Sequence, residues 1–409
     1  MYKIHYLWEM CRGKIHKMLK INSLRTFLRP FLGSRLGLFC VLAALLCVPA
    51  CFLGACGSGE ETPSCSDDGQ FKAVQYSKLF RLGTACGKPA AQIMSIVGGD
   101  TLVKEIVFEK PVKRAVVLSS AQIGYMARLG AADRIVGVGE GKYVVDSSLY
   151  GKVAEVGNGP ALSLEKVADL KPDMVMTFAT GGGKDDYEHL QKLGLPLILT
   201  SEWQEQNPLA KAEWIKLFGM MLDEGDGAMV RRADSIFKAE TVHYAKTYIR
   251  RAPPKKKKRP RVLAGMAYGG VWYAPGGKSF TATLIQDAGG LYLWAGDTTR
   301  ELRLSLEEVL ALADSADVWV NPGMFSKPDE ILAAEPRVAN IKAFREKRVC
   351  QNDGIKGPGD GNDFYEGAVA RPAELLENMN RCLYQEIGAD NGVNSPKPAY
   401  KWYRNIYNF

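Results

Sequence analysis

The sequence predicts an α/β protein of two lobes, each a mostly parallel sheet flanked by helices, joined by one long helix. Three observations predict it. From Val116 onward, short apolar runs alternate with segments of helical periodicity. A run without proline then extends from Asp226 to Ile249, with Gly227 at its start as the only glycine. After Pro253 and Pro254 the alternation begins again at Val262.

The elements follow in order. Val116–Leu118 reads as a strand, Ala121–Leu129 as a helix and Ile135–Val138 as a strand. Leu164–Leu170 is a helix, Met174–Thr177 a strand, Tyr187–Leu193 a helix and Leu197–Leu199 a strand. This first lobe is assigned to residues 114–225. In the connecting segment, residues 226–249, Val230, Ala233, Phe237, Tyr244 and Tyr248 recur on one face. As a single helix it would span about 36 Å, ending where the prolines forbid continuation. The second lobe, residues 262–409, reads as strand Val262–Ala267, helices Phe280–Ala288 and Leu306–Leu312, and strand Val318–Val320. It continues with helix Pro328–Ala334, strand Arg348–Cys350 and helix Ala373–Leu383.

The N-terminus has a different character. Residues 1–55 carry eight Lys or Arg against one acid, Glu9, and an uncharged run from Leu36 to Ala55 follows the basic stretch. This is the layout of a secretory signal. The run is also about long enough to span a bilayer. Its end, Leu53-Gly54-Ala55-Cys56, resembles a bacterial lipobox: two small residues suit a signal peptidase, and Cys56 supplies a thiol for lipidation. Cleavage is therefore favoured over a membrane anchor, and Gly57-Ser58-Gly59-Glu60-Glu61 reads as a flexible tether. Residues 56–113 are assigned as tether and N-terminal extension.

Removing residues 1–55 leaves 45 basic and 44 acidic residues, a net charge of +1. The basicity of the whole chain is thus mostly targeting signal, and nucleic-acid binding is not expected. Besides Cys56, Cys65, Cys86, Cys350 and Cys382 remain. They can pair outside the cytoplasm or stay as buried thiols. None forms a Cys-x-x-Cys pair.

Two segments echo each other. Ser163-Leu164-Glu165 and Ser305-Leu306-Glu307 each open a helix that leads to a strand. Serine is a good N-cap, and an acid in the first turn is favoured by the helix dipole. Glu308 completes a capping box with Ser305. The segment 250–261 holds eight basic residues in twelve. It reads either as a solvated linker at a helix C-terminus or as a contact for anionic lipid headgroups.

Taken together, the pieces resemble the periplasmic substrate-binding proteins that serve ABC importers of ferric siderophores, haem and cobalamin. The matching pieces run from Arg114-Ala115-Val116-Val117-Leu118-Ser119-Ser120 through Leu129-Gly130-Ala131-Ala132-Asp133-Arg134-Ile135-Val136-Gly137-Val138. They continue through Leu164-Glu165, Leu170-Lys171-Pro172-Asp173-Met174-Val175 and Leu193-Gly194-Leu195-Pro196. In the second lobe they are Asp287-Ala288-Gly289-Gly290, Leu306-Glu307 and Asp317-Val318-Trp319-Val320. The resemblance implies two rigid Rossmann-like lobes with a ligand cleft between them. It implies a small-molecule ligand, an iron complex or tetrapyrrole, and no intrinsic cofactor. It also implies a permease dimer with its ATPase as partner, docked through Glu165 and Glu307, and an extracytoplasmic location on a membrane held by lipid at Cys56.

Ligands of such lobes meet the loops at strand C-termini. Those loops nominate Ser119, Ser120, Gln122 and Tyr125, the stretch Thr200–Trp203, and Tyr268, Gly269, Gly270, Trp272 and Tyr273. Asn321 and the glycine-rich loop Asp353–Asp363 are further candidates. The aromatics suit a large flat ligand, with core packing as their alternative role. A bare metal ion is disfavoured, because only His189 and His243 remain after residue 55. Haem needs only one axial ligand, and Tyr can serve. An enzyme is not expected. Pro275-Gly276-Gly277-Lys278-Ser279 resembles the end of a phosphate-binding loop, but the required earlier glycine is Trp272. The alternatives are a surface haem scavenger without a permease and, further off, a chelatase-type enzyme.

Overall fold

The computed structural model describes residues 69–179, 186–250, 258–384 and 402–407. The signal segment, Cys56, Cys65 and residues 251–257 of the basic linker lie outside the described residues.

An antiparallel sheet comes first: β1 (Gln70–Ala73), β2 (Phe80–Ala85), β3 (Lys88–Val97) and β4 (Asp100–Val107), in that spatial order. Much of the expected extension is therefore a folded annex. Its Phe80, Ala91 and Ile93 are buried in the first lobe's core, with the Phe80 ring 4.8 Å from that of Trp214. The buried Glu213 carboxylate accepts the N–H groups of Gln75, Tyr76 and Ser77 at 2.9, 2.7 and 3.0 Å, which fixes the β1–β2 connection.

The first lobe follows. Its strands are β5 (Ala115–Val117), β6 (Ile135–Val138), β7 (Ala154–Glu155), β8 (Met174–Thr177) and β9 (Leu197–Leu199). All pair in parallel in the order β7-β6-β5-β8-β9. The helices are α1 (Ser120–Arg128), α2 (Leu164–Asp169), α3 (Tyr187–Gln191), α4 (Pro208–Glu213) and α5 (Ile215–Leu222). Buried strands such as Ala115–Val117 and Met174–Thr177 are apolar almost throughout because helices cover both faces.

The connecting helix α6 spans Ala228–Arg250. Its buried face carries Ala233, Phe237, Glu240, Tyr244 and Thr247. Tyr248, expected on that face, is instead 43% exposed. The helix meets the first lobe where Ala233 packs on Gly219, and the second through Tyr244, whose hydroxyl donates to Asp287 at 2.7 Å.

The second lobe contains β10 (Arg261–Ala264), β11 (Met266–Tyr268), β12 (Val271–Pro275), α7 (Phe280–Asp287), β13 (Leu291–Tyr292), β14 (Glu301–Ser305) and α8 (Leu306–Ala313). It continues with β15 (Val318–Val320), α9 (Pro328–Ala334), α10 (Lys342–Arg345), β16 (Val349–Gln351), α11 (Pro372–Tyr384) and β17 (Arg404–Asn405). The main sheet has the order β13-β10-β15-β16-β17, parallel except at β17. The run 262–267, read as one strand, breaks at Gly265, whose φ is +103°. There β11, β12 and β14 form a separate antiparallel sheet. A Cβ on Gly265 would lie 2.1 Å from the Tyr273 carbonyl oxygen, so the crossing needs glycine.

After β16 a strap, residues 353–371, returns to the first lobe. Cβ atoms on Gly357, Gly359 and Gly361 would sit 2.5–2.8 Å from the nearest backbone atoms of Lys142, Tyr143 and Val145. The glycines of this loop therefore serve close backbone approach between lobes. A Cys350–Cys382 disulfide ties β16 to α11, and Cys86 is also disulfide-bonded. Among the described residues no helix is long and apolar enough to cross a membrane.

Candidate functional site

The site is built from three directions. On the first lobe, Trp203 stands on a single 3-10 turn, Glu202–Gln204, just after β9. The annex clamps this turn. Gln204 accepts the Ile96 N–H at 2.9 Å and donates to the Ile96 carbonyl at 2.6 Å, while Ser201 and Ser95 share a hydroxyl hydrogen bond. On the far side, Glu205 accepts from Ser77 and from the Trp214 indole. Thr200, Ser201 and Glu202 are thereby buried, and Trp203, 43% exposed, projects outward. Helix α4 follows, capped by Asn207, whose oxygen accepts from Leu209 and Ala210. Pro208 stands at its first turn, where no donor is lost. This cap presents Pro208 and Lys211 to the cleft.

The second lobe contributes the start of α7, where Ser279 caps the helix and half-buried Phe280 and Thr281 line the cleft. It also contributes the loops after β15 and β16. Asn321 has φ +53°, a conformation that asparagine tolerates better than most residues. Gln351 holds its neighbouring loop by donating to the carbonyls of Gly323 and Phe325 at 2.7 and 2.8 Å. The strap adds Phe364 and Tyr365.

These groups enclose a cavity of about 490 Å³ between the lobes. Trp203, Phe280, Met324, Phe364 and Tyr365 make its walls largely aromatic and apolar. Met324 is 91% exposed. An adjoining cavity of about 370 Å³ shares Trp203, Phe280 and Thr281 and adds Tyr273, Lys278 and Arg300. Burial pushes the Glu202 carboxyl up and the Lys211 ammonium down, while each charge partly stabilises the other. Tyr403, fully buried against Phe364 with ring centroids 5.8 Å apart, has its hydroxyl raised well above the usual phenol range by burial. Asn321 beside that hydroxyl counters part of the rise, and Glu202 Oε2 is buried without a hydrogen-bond partner among the described residues.

Of the sequence candidates, Trp203, Tyr273 and Asn321 reach these cavities. Three others have structural roles instead. Gln122 is fully buried, accepting from Leu118 and Ser119 and donating to Thr200 at 2.9 Å. Tyr125 is fully buried, donating to the Lys211 carbonyl at 2.6 Å. Trp272 is fully buried, donating to the Ala264 carbonyl and packing on Trp319. Each has the right sequence neighbourhood, but its polar end is consumed inside the protein. Ser119 caps α1 and half-buried Ser120 opens it; neither lines these cavities. Tyr268, 70% exposed at the β11–β12 turn, lines neither cavity. The sequence reading missed Lys211, Asn352, Phe364 and Tyr365. The Asn207-Pro208 pair, a helix-start signal, was the available pointer to Lys211.

Glu165 and Glu307 are both exposed in the first turn of a Ser-capped helix, α2 and α8. Glu307 accepts from Arg337 at 2.9 Å, and the Ser305–Glu308 capping box is formed. Among the described residues no group of three or more His, Cys, Asp or Glu side chains is arranged to hold a metal ion.

A model of the periplasmic binding protein family matches residues 116–354. The chain belongs to that family. This periplasmic binding protein is 22% identical over 299 residues to an uncharacterized lipoprotein of Methanocaldococcus jannaschii, covering 68% of this chain and 67% of that one. Its fold is similar to a periplasmic heme-binding protein from Pseudomonas aeruginosa, with a TM-score of 0.53, 18% identity, and coverage of 67% of this chain and 93% of the other. It is similar also to a possible iron-binding, periplasmic solute-binding protein from Staphylococcus epidermidis, with a TM-score of 0.52, 16% identity, and coverage of 68% and 100%. Two lobes, each a helix-covered parallel sheet, are thus the family's architecture in this chain. The family consists of substrate-binding proteins, and its location is extracytoplasmic.

Proposed function

We propose that this protein is a lipid-anchored binding protein that captures a ferric siderophore, haem or cobalamin between its lobes and delivers it to an ABC permease. The observation that carries this reading is the cavity of about 490 Å³, walled by aromatic and apolar side chains with few polar groups. That size and composition suit one bulky organic ligand. The shortage of histidine, and the lack of clustered carboxylates among the described residues, argue against a bare ion as cargo. The heme-binding and iron-binding neighbours support the ligand class by analogy of fold.

Delivery is supported by the placement of Glu165 and Glu307. Each lobe presents an exposed acid, Glu165 or Glu307, at an equivalent position of a helix start, which suits a pseudo-symmetric partner such as a permease dimer. The lipobox supports anchoring through Cys56. Calorimetry of the mature chain against haem, ferric siderophores, cobalamin, zinc and manganese tests the reading. Binding to at least one complex is expected; tight binding of a bare ion with no response to any complex would refute it.

A further inference from the structure

The cleft contains one chemical asymmetry. Lys211 is the single charged side chain among the described residues lining the larger cavity. Its ammonium lies 5.2 Å from the centre of the Phe280 ring, and no described carboxylate forms an ion pair with it. Glu202 and Glu205 act on it only through space. Glu202 itself keeps one oxygen buried and unpartnered. A cation held in an apolar wall without a direct partner is unfavourable. An anion arriving beside it gains a charge-assisted hydrogen bond where little water competes. Around this point Trp203, Phe280, Phe364 and Tyr365 offer faces for a flat body.

Resting on the capture reading above, we propose that Lys211 anchors one carboxylate of a flat, largely apolar ligand, so that the cleft selects a carboxylate-bearing tetrapyrrole. A neutral corrinoid would leave the ammonium unpaired. A ferric tris-catecholate brings three negative charges, and a single cation leaves two of them uncompensated against apolar walls. Any second carboxylate of the favoured ligand is left to water or to the adjoining cavity, where Lys278 and Arg300 stand exposed.

The test is titration of the mature chain with haemin, haemin dimethyl ester, cyanocobalamin and a ferric tris-catecholate, followed by haem absorbance and by quenching of the tryptophan fluorescence. Haemin binds most tightly, and masking its carboxylates as esters weakens binding about ten- to a hundredfold. Lys211→Gln lowers haemin affinity by a similar factor and leaves the ester unaffected, while Lys211→Arg retains most of the affinity. The Tyr125 hydrogen bond to residue 211 uses the backbone carbonyl, so it survives these changes. Equal binding of haemin and its ester, or wild-type affinity in Lys211→Gln, overturns the anchor and leaves the capture reading standing. Tighter binding of cyanocobalamin or of the tris-catecholate does the same. If none of the four binds, the anchor falls, and the capture reading falls with it when ferric siderophores of the other chelate classes also give no response.

Discussion

The Glu366 carboxylate, carried by the strap from the second lobe, accepts the backbone N–H of Val145 in the first lobe at 2.9 Å. It also accepts from Asp146 at 2.8 Å. Glu366 is 3% exposed, and burial pushes its carboxyl up to about 7, with the negative charges of Asp363 and Asp146 adding to the rise. A raised carboxyl stabilises the fold fully below its ordinary value of 4.5. That stability is lost as pH rises from 4.5 towards 7, because the unfolded chain ionises first. Denaturant titrations at pH 4.5 and 7.5 should show this loss, up to about 3 kcal/mol, in the wild type. In Glu366→Gln the loss should be much smaller. Equal losses in the two proteins would exclude Glu366 as the cause.

Gly124 on α1 lies under the same strap. A Cβ there would stand 1.9 Å from the Glu366 carbonyl oxygen, a backbone atom that cannot rotate away. Gly124→Ala should cost about 2 kcal/mol or more and weaken ligand binding by displacing Phe364 and Tyr365. Gly296→Ala, where a Cβ meets nothing within 4 Å, is the control and should be near neutral. A melting temperature unchanged in Gly124→Ala would show that the strap yields freely.

Changing Glu165 and Glu307 together to Ala should leave ligand affinity nearly intact, since neither lines the cleft. Uptake and ATPase stimulation in a reconstituted transporter should fall sharply. If the acids serve only their helix starts, the outcome is a loss of about 0.3–1 kcal/mol each with normal transport. Melting, affinity and transport measured on one double mutant separate the two.

Cys56→Ser should block lipid incorporation and leave uncleaved precursor in the native host. Mass spectrometry finding an unmodified Cys56 on mature protein would remove lipidation from the proposal.

The strands and helices of the two lobes were legible because burial on both faces writes itself as continuous apolar runs, as in Met174–Thr177, and because caps such as Ser305 with Glu308 are local. The annex was not legible, since β1 to β4 form half-exposed antiparallel strands whose stability depends on Trp214 and Glu213, far along the chain. The same limit applied to the cleft. Gln122 and Trp203 each follow a strand, and only the tertiary partners decide that Gln122 spends its amide on Thr200 while Trp203 projects outward. Lys211 lacked any motif because its significance is to be the one charged side chain on that cavity's lining, which is a property of the assembled wall.

Residues 402–407 lie late in the chain, yet they complete the second lobe. Trp402 and Tyr403 are fully buried, the Trp402 indole donates to Asp363 in the strap, and β17 closes the sheet beside β16. A polypeptide that emerges amino-end first must therefore leave its second lobe incomplete, with the strap unsecured, until residues 402–407 appear. A truncation that stops before Trp402 would leave a bare strand edge and a hollow core, a product for proteases to clear and not a shorter binding protein.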